Sequence, residues 1–463
     1  MVSFLPESPL WITVLSLFTI WVAKNLAEYL SRGKYTVAAN ISFQAKFGNF
    51  MLWPYYWFTL RKEFKPLDLD AIRREAIKKE KAGTDFGDSW YETPYNILIN
   101  IINSGRSQWT PIGFVAYREM FLRLLRKRLR FFNYIKNPDV KEYMEKNPVR
   151  SPIFVFGMPR TGTTFLHRLL SLDPKARAPL TYELMDPIER VPDDVEKDSA
   201  KRIKFCKIQL DLILSLIPHL NSIHEVGAEL PEECLVAIGM DMPLLFETFH
   251  FLAEHCNELA HIDATPMYEN YQKQLQVLAH NAYKAGDHEL AKKRWVLKCP
   301  VHLATLDYLV KVFPDAKLVW THRDLNNALP SLAGLFRLGP DLTQPTVELD
   351  QLGKGVLTYA KLALERAEKF FTTSKDTSCC NVKYLELIKN PIEVVKALYK
   401  QCDYEFTPEY EKILEEYIAK NKAEREATKK KTGGKTMHNY SLEEYGMSKS
   451  DVDSLSWYTE KYL

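Results

Sequence analysis

The first long charge-free run in the chain, Leu10 to Ala23, is built largely of Trp, Leu, Ile, Val and Phe. It falls short of the roughly 20 residues that a helical span of a bilayer needs. Ser8 and Pro9 extend it without charge, and Lys24 can reach water along its aliphatic stem. No small-residue cleavage site follows, so the run reads as a retained membrane anchor rather than a removed signal peptide; a buried or interfacial helix is the alternative. A second uncharged run, Phe47 to Leu60, carries Trp53, Tyr55, Tyr56, Trp57 and Phe58 and contains Pro54. Aromatics of this kind suit the membrane–water boundary or a protein core. From about residue 66 to 145 the periodicity is helical. Leu122, Leu125, Leu129 and Phe132 make an apolar stripe among Arg123, Arg126, Lys127 and Arg130. Such a helix either lies on an anionic membrane or packs on a domain.

At Ser151 the period changes. Ile153 to Phe156 is a continuous apolar run ending at Gly157, the pattern of a strand buried on both faces. A turn and a helix through Phe165 to Leu170 follow. Trp295 to Leu297 and Lys317 to Trp320 are two further short strands, and between them Leu303, Leu306, Val310 and Phe313 recur at helical spacing up to Pro314. Strand, crossover helix and strand predict a βαβ unit and a parallel sheet. Residues 196–290 and 343–373 read as helical, and Thr407-Pro408 opens a helix that runs toward Lys429, Lys430 and Lys431.

Composition narrows the function. The 463 residues are 46% hydrophobic and 26% charged, ordinary values for a chain with a real core. A net charge of +3 does not suit a nucleic-acid binder, so any anion site must come from local clustering of cations. Seven cysteines without metal-like spacing argue against a disulfide framework and against structural zinc, and suit buried free thiols in a reducing compartment.

The chemistry concentrates in FVFGMPRTGTT, residues 154–164. A buried strand feeding a glycine-bounded turn and then a helix makes an anion cradle from backbone N–H groups and the helix dipole. The interval from Gly157 to Gly162 matches a nucleotide P-loop, yet Thr163 stands where the P-loop lysine belongs, and the cation comes earlier, at Arg160. That variant resembles the phosphosulfate loop of sulfotransferases that use 3′-phosphoadenosine-5′-phosphosulfate (PAPS), here Pro159, Arg160, Thr161, Gly162, Thr163 and Thr164. A second element agrees with the first: the segments WVLKCP and WTHRD are followed by Ser331, eight residues after Arg323. The family holds the 3′-phosphate of PAPS with an Arg and a Ser so spaced, and a guanidinium fork suits phosphate oxygens. Leu325 replaces a proline frequent after that Arg-Asp pair. The motif order is similar to that of tyrosylprotein sulfotransferases, and more so to a diverse bacterial and eukaryotic group that shares Pro231 to Cys234 and Tyr440 to Gly446. The resemblance covers roughly residues 65–460.

It implies an α/β fold of the P-loop-like, three-layer kind, with a central parallel sheet, helical insertions and an N-terminal helical and membrane-anchoring extension. By segment, residues 1–60 are the anchor or interfacial part, 61–150 a helical extension and 151–463 the catalytic domain. The implied reaction moves a sulfuryl group from PAPS, the cosubstrate, to a hydroxyl acceptor. Sulfuryl transfer needs positioning and charge stabilisation rather than metal chemistry, and no metal spacing is found. Arg160 and Lys298 would neutralise the transferring group, Thr163 and Thr164 would bind the 5′-phosphate, and Arg323 and Ser331 the 3′-phosphate. Glu183 is the first choice of base and His224 the second; Glu232 and Glu233 read as charges at a helix start. A glycine-lysine segment at Gly433, Gly434 and Lys435 closes over the nucleotide or is a solvated loop.

The N-terminus suggests a lipid or lipophilic alcohol as acceptor and a membrane as partner. Glu7 precedes the apolar run, whereas Lys24, Arg32, Lys34 and Lys46 follow it, which predicts a cytosolic catalytic domain. The alternative is a carbohydrate acceptor in the ER or Golgi lumen, where Asn40 and Asn439 would be glycosylation sequons. A divergent P-loop kinase is a further alternative, lacking its lysine, and a non-enzymatic scaffold would not need cations at three strand ends.

Overall fold

A computed structural model of the chain describes residues 42–55, 66–104, 109–191, 194–218, 220–243, 258–344, 347–374, 377–431 and 440–463. The anchor expected at residues 10–23 lies outside this set, as do Asn40, Asn439 and the segment at Gly433 to Lys435. Among the described residues no helix is long and apolar enough to cross a membrane.

Helices α1 (Phe43–Tyr55), α2 (Leu69–Glu80), α3 (Glu92–Ser104), α4 (Pro111–Tyr134) and α5 (Pro138–Lys146) form the N-terminal part. The strands are β1 (Ile153–Gly157), β2 (Ala176–Arg177), β3 (Arg294–Lys298), β4 (Lys317–His322) and β5 (Cys379–Lys383). Between β1 and β3 come α6 (Thr163–Leu170), α7 (Thr181–Met185), α8 (Val195–Leu216), α9 (Leu220–Ile223), α10 (Leu235–Ile238), α11 (Thr265–Lys284) and α12 (His288–Lys292). Next are α13 (Leu306–Val312), α14 (Leu325–Phe336), α15 (Leu338–Thr343) and α16 (Leu349–Thr373), and after β5 come α17 (Tyr384–Lys389), α18 (Pro391–Gln401), α19 (Pro408–Lys431), α20 (Lys449–Asp453) and α21 (Ser456–Tyr462).

The strands form one parallel sheet in the order β2-β3-β1-β4-β5. Alternation along each strand explains why the sequence shows unbroken apolar runs. Ile153, Val155, Val296 and Val319 pack one face of the sheet against α6, α18 and α19, through Leu166, Val395 and Tyr410. Phe154, Phe156, Leu297 and Trp320 pack the other against α11, α14 and α16, through Leu275, Leu329 and Leu364. Both faces are covered, so both sets of side chains are apolar. The chain leaves β1 for β2 on one side and later returns to β4 on the other, which opens a crevice at the carboxyl ends of the central strands.

The N-terminal helices carry a core of their own, which includes Leu69, Ile72, Leu98, Leu125 and Leu129. A buried polar joint ties it to the rest: Arg128, fully buried, bonds the Phe86 carbonyl at 2.6 Å and pairs with buried Asp241, and Tyr95 donates to the Met240 carbonyl at 3.0 Å. The basic stripe of α4 is thereby packed on the domain. Arg126 and Arg130 pair with Glu80, and buried Lys127 donates to the carbonyls of Leu184 and Val236. The six described cysteines are free, five of them buried.

Three histidines are shut inside this core. His167 Nε2 lies 3.2 Å from the Val296 carbonyl, His302 Nδ1 2.8 Å from the Tyr268 hydroxyl, and His322 Nε2 2.8 Å from Asn381 Oδ1. Burial disfavours the imidazolium and lowers His167 and His302 to about 3 and His322 to about 4, against roughly 6.5 in an unfolded chain. Between these values the unfolded state binds protons that the folded state does not, so stability falls as pH drops from about 6.5 toward 4. Urea denaturation should give a lower unfolding free energy near pH 5 than near pH 7, with a slope approaching about 1.4 kcal/mol per pH unit for each histidine. Equal stability at the two pH values would contradict the burial of these rings as neutral groups.

Candidate active site

The turn between β1 and α6 is fixed from inside. Thr161, fully buried, places its hydroxyl 2.6 Å from the Met158 carbonyl and 2.6 Å from Thr321 Oγ1 on β4. At Gly157 a side chain would meet the Thr321 carbonyl oxygen at 2.5 Å, so only glycine lets the turn lie this close to β4. Gly162 caps α6 at φ 91°, and Arg160 is held at φ 72°, a region that residues with side chains rarely adopt. Strain of this kind persists where the surroundings over-determine it, and it marks functional turns.

Three cations expected from the sequence converge here. Arg160 Nε donates to Ser331 Oγ at 3.1 Å, and Arg323 donates to the Arg160 carbonyl at 2.8 Å with its guanidinium 4.3 Å from the centre of the Tyr384 ring. Lys298, at the end of β3 and 1% exposed, is 3.3 Å from Thr164 Oγ1 and ion-paired with Glu233. Burial, and then the charge of Arg323, lower the pKa of Arg160. An anion bound between the two guanidiniums would relieve that opposition. The C-terminal helix braces the site: Tyr458 packs with His322, its hydroxyl 3.1 Å from Nδ1, directly before Arg323. Tyr384 and Tyr458 have no motif around them that the sequence could have flagged.

The acidic side is built by pairing two loops. Leu180 and Pro231 form a bridge, the Glu232 N–H donates to the Pro179 carbonyl at 3.1 Å, and the Cys234 N–H donates to the Lys298 carbonyl at 2.9 Å. Glu233 is thereby delivered to the Lys298 ammonium, a role that a reading as a helix-start charge does not contain. His224 Nε2 is 3.2 Å from Glu232 Oε1. Burial alone would push the Glu232 carboxyl up, but the His224 hydrogen bond, the charge of Lys298 and the Glu233 N–H hold it below the usual carboxylate range. His224, Glu232 and Glu233 bring three ligand-type atoms within 4.8 Å of one another. A divalent ion there would have to displace the Lys298 charge that already answers Glu233, so the donor set fits an acid–base cluster better than a metal.

Glu183 sits on α7, directly after the short strand β2. One of its oxygens takes Arg177 at 3.0 Å, and the other takes the Leu180 N–H at 2.8 Å. Arg177 in turn stacks 4.3 Å over the Trp295 ring. Both oxygens thus shape the loop that carries Leu180.

An apolar cleft opens beside the cations. It encloses about 1030 Å³ of empty space, part of it open to solvent. Pro159, His224, Glu233 and Cys299 stand in its wall, and Leu235, Met242, Ile262, Leu335, Phe336 and Tyr359 supply much of the remainder. His224 and Glu233 line it, whereas Glu183 is not among the lining residues.

Residues 152–408 match the defining pattern of the family described as "Sulfotransferase family". The chain belongs to this sulfotransferase family. Among characterised relatives it is 26% identical over 287 residues to the omega-hydroxy-beta-dihydromenaquinone-9 sulfotransferase Stf3 of Mycobacterium tuberculosis, and equally to that of Mycobacterium bovis. Each alignment covers 58% of this chain, and the chain spans 66% of the relative's length. The fold is shared with sulfotransferase STF1 from Mycobacterium tuberculosis (TM-score 0.65, 24% identity, covering 84% of this chain and 98% of that one). It is shared equally with STF9 from Mycobacterium avium (TM-score 0.66, 22% identity, 85% and 96%).

The buried Lys298–Glu233 pair gives a direct test of the site's charge. Glu233→Ala leaves the ammonium without its carboxylate and should cost about 3 kcal/mol of stability. Thermal denaturation of this variant should show a larger gain from added sulfate or phosphate than the parent does. A melting temperature that neither drops nor responds to the anions would mean that Lys298 is not held in the site as described.

Proposed function

We propose that the chain transfers the sulfuryl group of PAPS to a lipophilic alcohol. The observation that carries this reading is the apolar cleft, whose wall runs from Pro159 of the anion turn, past His224 and Glu233, into a pocket of aliphatic and aromatic side chains. A sugar would leave its hydroxyls unpaired against such walls, whereas a hydrocarbon or isoprenoid body loses nothing there. The name of the mycobacterial relatives gives omega-hydroxy-beta-dihydromenaquinone-9, a lipid, as their acceptor, which supports the same class. The charge bias around residues 10–23 supports a membrane-associated enzyme with its catalytic part on the cytosolic side.

In this reading the 5′-phosphosulfate lies on the turn at Thr163 and Thr164, and Arg323 and Ser331 take the 3′-phosphate. The acceptor oxygen attacks sulfur as the bond from sulfur to the phosphate oxygen breaks. Arg160 and Lys298 meet the negative charge that grows on the transferring group and on the departing phosphate. The hydroxyl proton leaves to His224. The anionic Glu232 behind that ring orients it and stabilises the imidazolium, as a carboxylate does in other His-dependent sites. Glu183 acts as a positioning residue, since it holds the loop that pairs with the segment carrying Glu232 and Glu233.

Two measurements test donor and base separately. Arg323→Ala should weaken 3′-phosphoadenosine-5′-phosphate in calorimetry by about 1.5–3 kcal/mol, the worth of a hydrogen bond to a charged group; unchanged affinity would remove Arg323 from the donor site. His224→Gln should lower turnover on a long-chain alcohol by roughly 10²- to 10⁴-fold while the nucleotide still binds. If that variant stays active and a folded Glu183→Gln variant is dead, the base is Glu183.

A further inference from the structure

We infer that α1 and α8 form a docking face for an anionic lipid bilayer, separate from the donor site. On α1, Phe43, Phe47, Phe50 and Met51 fall at intervals of four, three and one residue and are exposed, Phe43 by 76% and Met51 by 58%. On α8, Phe205, Ile208 and Leu212 repeat the helical spacing at 53%, 57% and 59% exposed. The two stripes adjoin. The Ser42 N–H donates to the Leu216 carbonyl at 2.9 Å, next to Phe43 on one side and one turn beyond Leu212 on the other. Two neighbouring helices that both present large apolar side chains to water exceed the scattered exposure usual on a soluble surface.

Charge decides the occupant. Lys201 and Lys204 lie exposed on α8 beside its stripe, Lys207 is taken up by Glu229 at 2.7 Å, and Asp211 is the exposed acid next to Leu212. Behind Phe205 a second cavity is walled by Arg123, Arg126, Arg130, Arg190 and Lys201, with Asp186 the one acidic residue among the described lining. Asp186 pairs with Arg130 and Arg190, Glu80 with Arg126 and Arg130, and Asp198 with Arg202 of the same wall, which leaves Arg123 and Lys201 without an ion pair among the described residues. A hydrophobic stripe, flanking lysines and an arginine-rich cavity at its rim match, in order, the acyl layer, the anionic surface and a headgroup phosphate. A second copy of this chain would satisfy the apolar stripe but set like charges against Lys201 and Lys204, which an anionic surface answers.

The face also explains delivery, and this part rests on the lipophilic-acceptor reading, whereas the docking does not. From the end of α8 the chain passes through α9 to His224, in the wall of the apolar cleft. A molecule resting on α8 thus holds the cleft close to the layer in which a lipophilic alcohol is dissolved.

The test uses the full chain with an environment-sensitive fluorescent amino acid at position 208 and, as a control, at exposed position 393. Vesicles of phosphatidylcholine alone are compared with an equal mixture of phosphatidylcholine and phosphatidylglycerol. On the anionic vesicles, the probe at 208 should shift to the blue and be quenched by nitroxide-labelled lipid, and the probe at 393 should not. Replacing Lys201 and Lys204 by Gln should weaken vesicle affinity by roughly fivefold for each charge. Phe205→Ser with Leu212→Ser should abolish the quenching in the parent background without lowering turnover on a short soluble alcohol. A probe at 208 that stays in water on bound vesicles would overturn the proposal, because residues 1–41 would then hold the chain to the membrane unaided. A probe already in an apolar environment before lipid is added would overturn it as well, since another part of this chain or a second copy would cover the face. If the face docks but neither soluble nor membrane-dissolved alcohols accept sulfate, the acceptor reading fails and the docking stands.

Discussion

Lys298 holds an ammonium at the end of β3 in almost complete burial, and much of the site is arranged around that charge. A cation in such a place is costly unless an anion is close. The resting protein supplies Glu233, brought there by the Cys234 N–H bond to the carbonyl of Lys298 itself. Glu232, one residue away, is kept anionic partly by the same ammonium and so remains available to His224. On the other side Thr164 touches the Lys298 ammonium, and the turn it belongs to carries Arg160 toward Ser331 and Arg323. One buried charge thus links the anion-binding turn to the residues lining the apolar cleft.

Positions at strand ends were legible in the sequence. The runs at Ile153, Trp295 and Lys317 are buried on both faces, so the apolar pattern is continuous, and the residues just beyond them are fixed within a residue or two. Arg160 stood out as the cation inside the turn, whereas Lys298 and Arg323 were named through the family resemblance; the structure sets Arg323 on the Arg160 carbonyl and Lys298 beside Thr164. Strand β5 was not legible because Cys379 to Lys383 is an edge strand with alternating exposure and a polar centre at Asn381. Strand β2 is too short to show any period.

The acceptor side was legible only in part, for a physical reason. Glu183 follows a strand, where a motif can be matched, and its oxygens accept from Arg177 and the Leu180 N–H. The partnership of Glu233 with Lys298 and of His224 with Glu232 arises from a crossing of loops, including the single bridge between Leu180 and Pro231. No local periodicity encodes such a crossing. The same holds for Tyr458, which braces His322 from a helix 136 residues away.

This division has a consequence for how the two halves of the reaction are specified. The cationic side rests on the sheet, where backbone pairing and two covered faces leave little freedom, and it shares its fold with other sulfotransferases. The cleft is walled by insertions, since its lining extends from Pro159 through Met242 and Ile262 to Phe336 and Tyr359 and is drawn from loops and helices rather than strands. Apolar walls recognise by shape and by exclusion of polar groups rather than by paired hydrogen bonds, and one methylene more or less changes binding there only modestly. On the proposed lipophilic-acceptor reading, selectivity for one such alcohol over another would then have to come from somewhere else as well. The proposed docking of α1 and α8 on a bilayer would supply it through concentration, by bringing the cleft to those alcohols that already partition into the bilayer and away from those that remain in water.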